Sequence, residues 1–587
     1  MGETNSELNE ILNAFDKQTE PITEHEIESS LTKIKKKFET DGVMFSDELN
    51  AEILAFSFIE DYKNEESGWG TYFGPMMVFP NESGQMMEYP SIRNVTKEIL
   101  CYWSKRAIET KHPIFKARYA GLVWDFLKPI TNENPSPEMA RIVIDATVDI
   151  AIHRFHKYEN SVIDKLEWAL SLSISLNDTI RVKKITNEII SFENSIAKDD
   201  KLRLWGFSFD FLINNKKVHL TEEQKNKIIA DLEERLNRVS NSEKPDPFAA
   251  EAAAMRLAEY YRRVNQSEKV KEVLLKYGNT FLKASETASP LVGSAWLQKV
   301  YSVYLNFGLK KEADSISIIL RELHKGTYKD LKQISHKFEI SKDKLEKYVS
   351  EILDGDIELV LNRIAFHFVP KRGEVEEQVK ELSRKFVFQY LGTTVLQDYK
   401  GRPVAQIGPI ENDLEGHVIK QMSQNMSISN LFLREALEGF KKKFCPTAED
   451  LLRYLYCSPV FEEDKKTIIE KGVKLYLEND FISGVHLLIP QIEDALRNLI
   501  EKSGGAIYKP SRNGGMNLKI LDEILREPIV SSVFDENTSF YLRILFTDPR
   551  GRNLRNLVCH GSISPKQITS DIADRVFHAI LLLAQVR

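Results

Sequence analysis

Arg552-Asn553-Leu554-Arg555-Asn556-Leu557-Val558-Cys559-His560-Gly561 is the stretch on which the reading of this chain turns. It alternates apolar and polar residues at helical spacing and ends in a glycine, the usual helix stop. It also sets a permanent cation, Arg555, about one and a half turns before a titratable imidazole, His560. A carboxamide, Asn556, follows the arginine directly. Little else in the 587 residues looks chemical.

Working outward, the segment 463–587 reads as a small helical unit. Helices are expected over Asp464–Asn479, over Asp480–Ser503 up to Gly504-Gly505, and over Thr538–Phe546 with a short piece at Leu518–Arg526. The next runs from near Asn553 to His560. A last one starts at Ser564, with Pro565 in its first position and Gln567 closing a capping box. Ile568, Ile572, Val576, Ile580 and Leu583 lie on one side of that helix.

Upstream, 1–324 is expected to be a helical array of α-solenoid type, without a clean repeat period. Its helices include Glu26–Phe38, Ser91–Thr110, Pro137–Tyr158, Val162–Leu176, Asp178–Ile196 and Pro247–Val264. The Gly-, Pro- and Met-rich insert Ser67–Pro90 interrupts it, and a buried loop packed on helices is expected there. Between the two regions, 325–462 reads as a connector. It holds a helical hairpin over Lys325–Leu353, spaced like a helix-turn-helix but poor in base-reading side chains. A small β-hairpin over Phe386–Ile407 follows, turning at Gly401. The fold class is therefore mostly α: a helical array, a β-hairpin connector and a compact C-terminal helical unit.

Composition bounds the function. A net charge of −7 and 42% hydrophobic residues describe an ordinary globular protein and argue against a general nucleic-acid coat. Cys101, Cys445, Cys457 and Cys559 show no zinc spacing, so a reduced, cytoplasmic protein without structural metal is expected. The N-terminus has no apolar signal core, and Met1-Gly2 with Ser6 is only a chance myristoylation pattern. The apolar run Ala579–Ala584 is too short to cross a bilayer, so no membrane partner is expected.

The segment Asp548–Asn556 followed by Val558-Cys559-His560-Gly561 resembles the signature helix of the HEPN superfamily, whose motif is Arg, four to six residues, then His, with a polar residue after the Arg. Leu487–Arg497 resembles the preceding helix of an uncharacterised HEPN family that carries a long helical N-terminal region. The resemblance covers roughly the last fifth of the chain. It implies a four-helix bundle, a metal-independent endoribonuclease, and a homodimer whose two motifs compose one site. Arg555, His560 and Asn556 are the implied catalytic residues. His560 can act as general base or acid, Arg555 can place a charged fork on phosphorane oxygens, and Asn556 can orient either. Arg552 and Asn553 at the helix start, and Lys509 and Arg512 in the glycine-rich stretch Gly504–Gly515, are candidate phosphate contacts. That stretch lacks the Gly-Lys-Ser/Thr ending of a P-loop and is expected to be a mobile loop. Glu493 is expected to pair with Arg497 four residues on, and could instead hold Arg555 from behind. The implied products are a 2′,3′-cyclic phosphate and a 5′-hydroxyl; no cofactor and no metal are needed. RNA is the implied partner. A protein or phage-derived trigger at the N-terminal region would fit a role in defence or toxin-type growth arrest.

Other readings stand beside this one. Arg and His at a helix C-terminus also satisfy carbonyls and the dipole, and a HEPN domain can bind nucleotides or serve as a scaffold without cutting. Arg106 and His112 match the bare motif too, with Ala107 after the Arg and Pro113 after the His, and read as a decoy. His153, His156 and Glu159 are close enough for a metal but read as a solvated helix face.

Overall fold

The structure, a computed structural model, describes the chain except residues 1, 45, 62–69, 82 and 333–338, and the side chains of 2–5. It is mostly α-helical, at 69%, with three small two-stranded sheets among the described residues. The chain divides into two compact units, Met1–Leu323 and His324–Arg587.

In the first unit each helix packs chiefly on its neighbours in sequence, as an array requires. Lys97–Glu109, Pro113–Thr131, Pro137–His153, Glu159–Ser175 and Thr179–Ile196 follow one another, and Glu222–Asn241, Pro247–Arg263, Ser267–Thr287 and Pro290–Asn306 repeat the arrangement. Local sequence sets the ends. Prolines 113, 137, 247 and 290 occupy first turns, where a missing N–H costs nothing. Asn132 and Arg154 leave their helices in the left-handed region.

Three expectations need correction here. The helix expected from Ser91 begins only at Lys97, after a 3-10 turn at Ile92–Asn94, because Thr96 caps it through the Ile99 amide. The helix expected to reach Tyr158 stops at His153. Beyond it, the backbone at His156 bridges to Ile22, and its imidazole bonds the Glu24 carboxylate at 2.9 Å. The insert is only partly buried. Phe73 is buried and Tyr72 stacks on Trp168, but Met77–Pro80 and Met86–Tyr89 form an exposed antiparallel hairpin. Its residues 67–69 lie outside the described residues.

The second unit is built around the terminal helix Ser570–Leu583. The sequence suggests one apolar side; instead every residue from Ala573 to Leu583 is buried. A helix buried all round must satisfy each polar side chain internally. Asp574 accepts from the Tyr476 hydroxyl at 2.7 Å and from Arg434 at 3.1 Å. Arg575 donates to Asn430, Ser429 and the carbonyls of Met426 and Phe368. His578 sits between the Tyr541 hydroxyl at 2.9 Å and the Ala365 carbonyl at 3.0 Å. Burial drives its pKa down to about 3, so the ring is neutral, taking the proton of Tyr541 on Nδ1 and giving its own from Nε2.

The partners of this helix decide the architecture. Ile357–His367 and the long helix Leu414–Phe444 pack on it together with Phe481–Lys502. Residues expected as a separate connector thus share one hydrophobic core with the terminal helices. The β-hairpin is present as Thr394–Gln397 paired with Pro403–Ile407, with Gly401 in its turn, but Val387–Leu391 is helical. Of the expected helical hairpin, Lys342–Ile352 is a helix; much of its first arm falls at 333–338, outside the described residues. The terminal helix begins at Ser570, since Pro565–Gln567 forms only a 3-10 turn, with Gln567 accepting from the Ser564 amide at 2.9 Å.

Candidate functional site

The motif helix is short, Leu554–Cys559. A tight loop delivers it. The Asp548 carboxylate accepts from the Arg550 amide at 2.9 Å and from its guanidinium at 3.0 and 2.9 Å. Burial pushes Asp548 up, but these bonds outweigh it and hold the acid below the usual carboxylate range. Gly551 then passes the preceding helix so closely that a Cβ would meet the Ile544 carbonyl at 2.5 Å. Asn553 enters the helix at φ 52°, a left-handed conformation that asparagine tolerates better than most residues.

Side chains of the motif then form a chain of hydrogen bonds. The Asn556 amide donates to the Asn553 side-chain oxygen at 2.7 Å and to the Thr547 carbonyl at 3.4 Å. Its own oxygen accepts from Arg555 Nη1 at 3.3 Å. Arg555 Nε donates to Glu493 Oε2 at 2.8 Å, across from the helix Phe481–Lys502. Burial works against the Arg555 charge, and the Glu493 carboxylate more than restores it. Glu493 also takes Arg497 Nη2 at 3.1 Å, so both pairings weighed from the sequence occur at once. The far end is shaped by Gly561 at φ 62°. The Gly561 amide bonds the Val558 carbonyl at 3.0 Å, and the Ser562 amide bonds that of Leu557 at 2.8 Å, which is a Schellman closure. His560, as the capping residue, is left exposed, and its imidazole has no hydrogen bond or ion pair among the described residues.

The structure therefore gathers Arg555, Asn556, Asn553 and Glu493 into one network and sets His560 at the solvent end of the same helix. Arg552 turns away, bonding the Ser427 hydroxyl and, at 3.4 Å, the Ser423 carbonyl of the long helix. Burial, and then the nearby Arg575 guanidinium, lower its pKa; its partners are neutral acceptors. The glycine-rich stretch is not a plain loop, since Tyr508–Pro510 pairs with Met516–Leu518. On that hairpin Lys509 is spent on Glu523, both oxygens at 2.7 Å, while Arg512 is exposed.

Sequence reasoning missed Thr547, Ser423 and Ser427, whose contacts come from distant elements and carry no local signature. It also missed Glu415, which takes Arg543 at 2.6 Å and Arg550 at 3.4 Å and ties the loop to the long helix.

The other candidates resolve differently. Arg106 belongs to Lys97–Glu109 and pairs with Glu52 at 3.0 Å, while His112 caps the next helix through the Ile114 amide, so the decoy does not share one helix. His153 is exposed and bonds the Asp149 carbonyl; His156 is buried beside Glu24, which corrects the expectation of a solvated face. Among the described residues no group of three or more His, Cys, Asp or Glu side chains is placed to hold a metal ion.

No protein-family model, no curated protein and no solved structure matches this chain.

Proposed function

We propose that the second unit is a HEPN-type, metal-independent endoribonuclease acting as a homodimer. The observation that carries this reading is Arg555, oriented by Glu493 and Asn556, on the short helix that an exposed His560 caps, its imidazole without a hydrogen-bond partner among the described residues. In the reaction, neutral His560 removes the proton of a ribose 2′-hydroxyl. The resulting oxygen attacks the adjacent phosphorus, and the P–O5′ bond breaks. A protonated imidazole from a second copy of the motif gives its proton to the departing 5′-oxygen. Arg555 stabilises the charge on the non-bridging oxygens, and Asn556 holds Arg555 in place. The products are a 2′,3′-cyclic phosphate and a 5′-hydroxyl. The first unit then serves as the sensor or partner platform that controls cutting, in the cytoplasm, in defence or growth arrest.

The test is incubation of the purified full chain with total RNA in EDTA, followed by analysis of the new ends. Cleavage that survives EDTA, leaves cyclic phosphates and disappears in His560→Ala supports the proposal. Metal-dependent cleavage, or cleavage unchanged in His560→Ala, overturns it. One observation favours a second reading. Glu493 already neutralises Arg555 within one chain, as a purely structural ion pair would. On that reading the motif only closes the fold of a nucleotide-binding or scaffold protein, and a purified dimer leaves RNA intact.

A further inference from the structure

The insert of the first unit presents an apolar face that the unit itself does not cover. Register pairs Met77 with Tyr89 and Phe79 with Met87, so strand alternation puts these four side chains on one face of the hairpin. Each is between 43% and 52% exposed. Single exposed apolar residues need no explanation, but four contiguous ones on a hairpin do. Methionines at such a face are unbranched and polarisable, suited to varied apolar partners.

The two strands of the hairpin carry one charged residue, Glu88. Met76, which leads into the hairpin and is 47% exposed, also lines a cavity of about 460 Å³. Glu24, Glu28, Glu60, Asp61 and Asp164 line that cavity against one guanidinium, Arg118, and two imidazoles, His25 and His156. Much of this charge is already matched: Arg118 takes Glu60 at 3.0 Å, Lys165 bridges Glu24 and Glu60, Arg203 takes Asp164 at 2.7 Å, and the imidazoles of His156 and His25 lie against Glu24 and Glu28. Five carboxylates against three permanent cations still leave the cavity net negative. A second, independent feature points to a ligand. Tyr72 lines this cavity, and its hydroxyl is buried with no hydrogen-bond partner among the described residues. Burial, followed by the charges of Glu60, Asp164, Asp61 and Glu24, pushes its pKa well up.

We infer that the hairpin Met77–Tyr89 and the acidic cavity beside it form one docking surface for a basic amphipathic segment of another protein. The apolar side of that segment lies on Met77, Phe79, Met87 and Tyr89. A lysine or arginine from it enters the cavity, where carboxylates balance its charge and Tyr72 gains a partner. Charge complementarity selects this occupant. An RNA strand or an anionic membrane is repelled by the same carboxylates, and a second copy of the hairpin brings no cation with it. The inference does not depend on the ribonuclease reading, because the surface lies in the first unit and its test uses no RNA.

The test is fluorescence anisotropy of the full chain with a labelled Lys/Leu amphipathic peptide of about 18 residues, beside a Glu/Leu peptide of equal amphipathicity. The cationic peptide is expected to bind at least about tenfold more tightly, and to weaken as salt rises. Replacing Met77, Phe79, Met87 and Tyr89 together by Ser is expected to cost about tenfold or more in affinity, since these side chains anchor the apolar side. Tyr72→Phe and Glu28→Gln, which leave the hairpin untouched, are expected to weaken the cationic peptide several-fold and not the anionic one. The four hairpin residues are exposed, so an unchanged circular dichroism spectrum separates lost binding from lost folding. Equal binding of the two peptides overturns the inference, as does binding indifferent to the quadruple variant. A wild-type dimer that the same variant turns into monomer, with no peptide binding, also overturns it and assigns the face to a second copy.

Discussion

Breaking the Glu493–Arg555 pair gives the sharpest test of how the motif helix is held. The two groups meet at 2.8 Å, with side-chain exposures of 12% and 19%. With charge centres about 4 Å apart and an effective dielectric near 20, the Coulomb attraction is about 4 kcal/mol. Partial desolvation and the ordering of two long side chains offset much of it. An exposed pair is worth about 0–1 kcal/mol, whereas orphaning one member of a buried pair costs about 3–5 kcal/mol. A coupling energy of about 1–2 kcal/mol is the expected result of the double-mutant cycle Glu493→Gln, Arg555→Met. The two single variants should be unequal. Removing Arg555 leaves Glu493 with Arg497 at 3.1 Å, while neutralising Glu493 deprives both arginines. Glu493→Gln should therefore cost more than Arg555→Met. Urea unfolding of the full chain can read this out, because all six tryptophans lie before residue 324. Tryptophan emission follows the first unit, and the far-ultraviolet signal follows both. Coupling below about 0.3 kcal/mol, the level of simple additivity, would refute the reasoning. So would a shift confined to the tryptophan signal.

Further outcomes follow from the same geometry. His578 has its pKa lowered from about 6.5 in the unfolded chain to about 3 by burial, so its contribution is complete above pH 6.5 and lost as pH falls toward 3. Between pH 6.5 and 4.5 this amounts to about 2–3 kcal/mol, and His578→Gln should flatten that part of a stability-against-pH curve measured by urea titration. Gly561→Ala adds a Cβ that meets nothing within 4 Å, so its cost is the left-handed backbone alone, about 1–2 kcal/mol, and Gly561→Asn should recover part of it in thermal unfolding. Asn553→Gly keeps the φ of 52° and removes the 2.7 Å bond to Asn556, so a loss of about 1 kcal/mol isolates the side-chain bond from the backbone strain. In the ribonuclease assay, Asn553→Gly should lower kcat more than it raises KM if Asn556 serves to position Arg555.

Much of the helical content is written locally. Prolines at first turns, Thr and Ser caps, and glycines or asparagines after the last turn mark helix limits that lie within a few residues of those observed. Ends moved where a local cap or 3-10 turn displaced the start, as at Thr96 and at Pro565–Gln567, and where a distant group intervened, as Glu24 does at His156. The motif itself was readable because its parts sit within ten residues: the pattern of cation, amide, imidazole and terminal glycine needs no tertiary contact to be seen.

Pairing between helices was not readable, and it decides what the site is made of. Glu493 can satisfy Arg497 by helical spacing alone; only the packing of Phe481–Lys502 on Leu554–Cys559 brings it to Arg555 as well. Arg552, beside Arg555 in sequence, is carried to the opposite contact with Ser427. The terminal helix shows the same division. Its apolar residues are plain in the sequence, yet Asp574, Arg575 and His578 resemble a solvent face until Tyr476, Asn430 and Tyr541 arrive to bond them. By itself the sequence determined that this chain is helical, where most helices stop, and which short segment carries chemistry, because propensity, capping and periodicity act over a few residues. Tertiary structure alone decided that residues 325–462 share the core of the C-terminal helices, and which charges are neutralised, because those outcomes depend on groups from about sixty to more than a hundred residues apart.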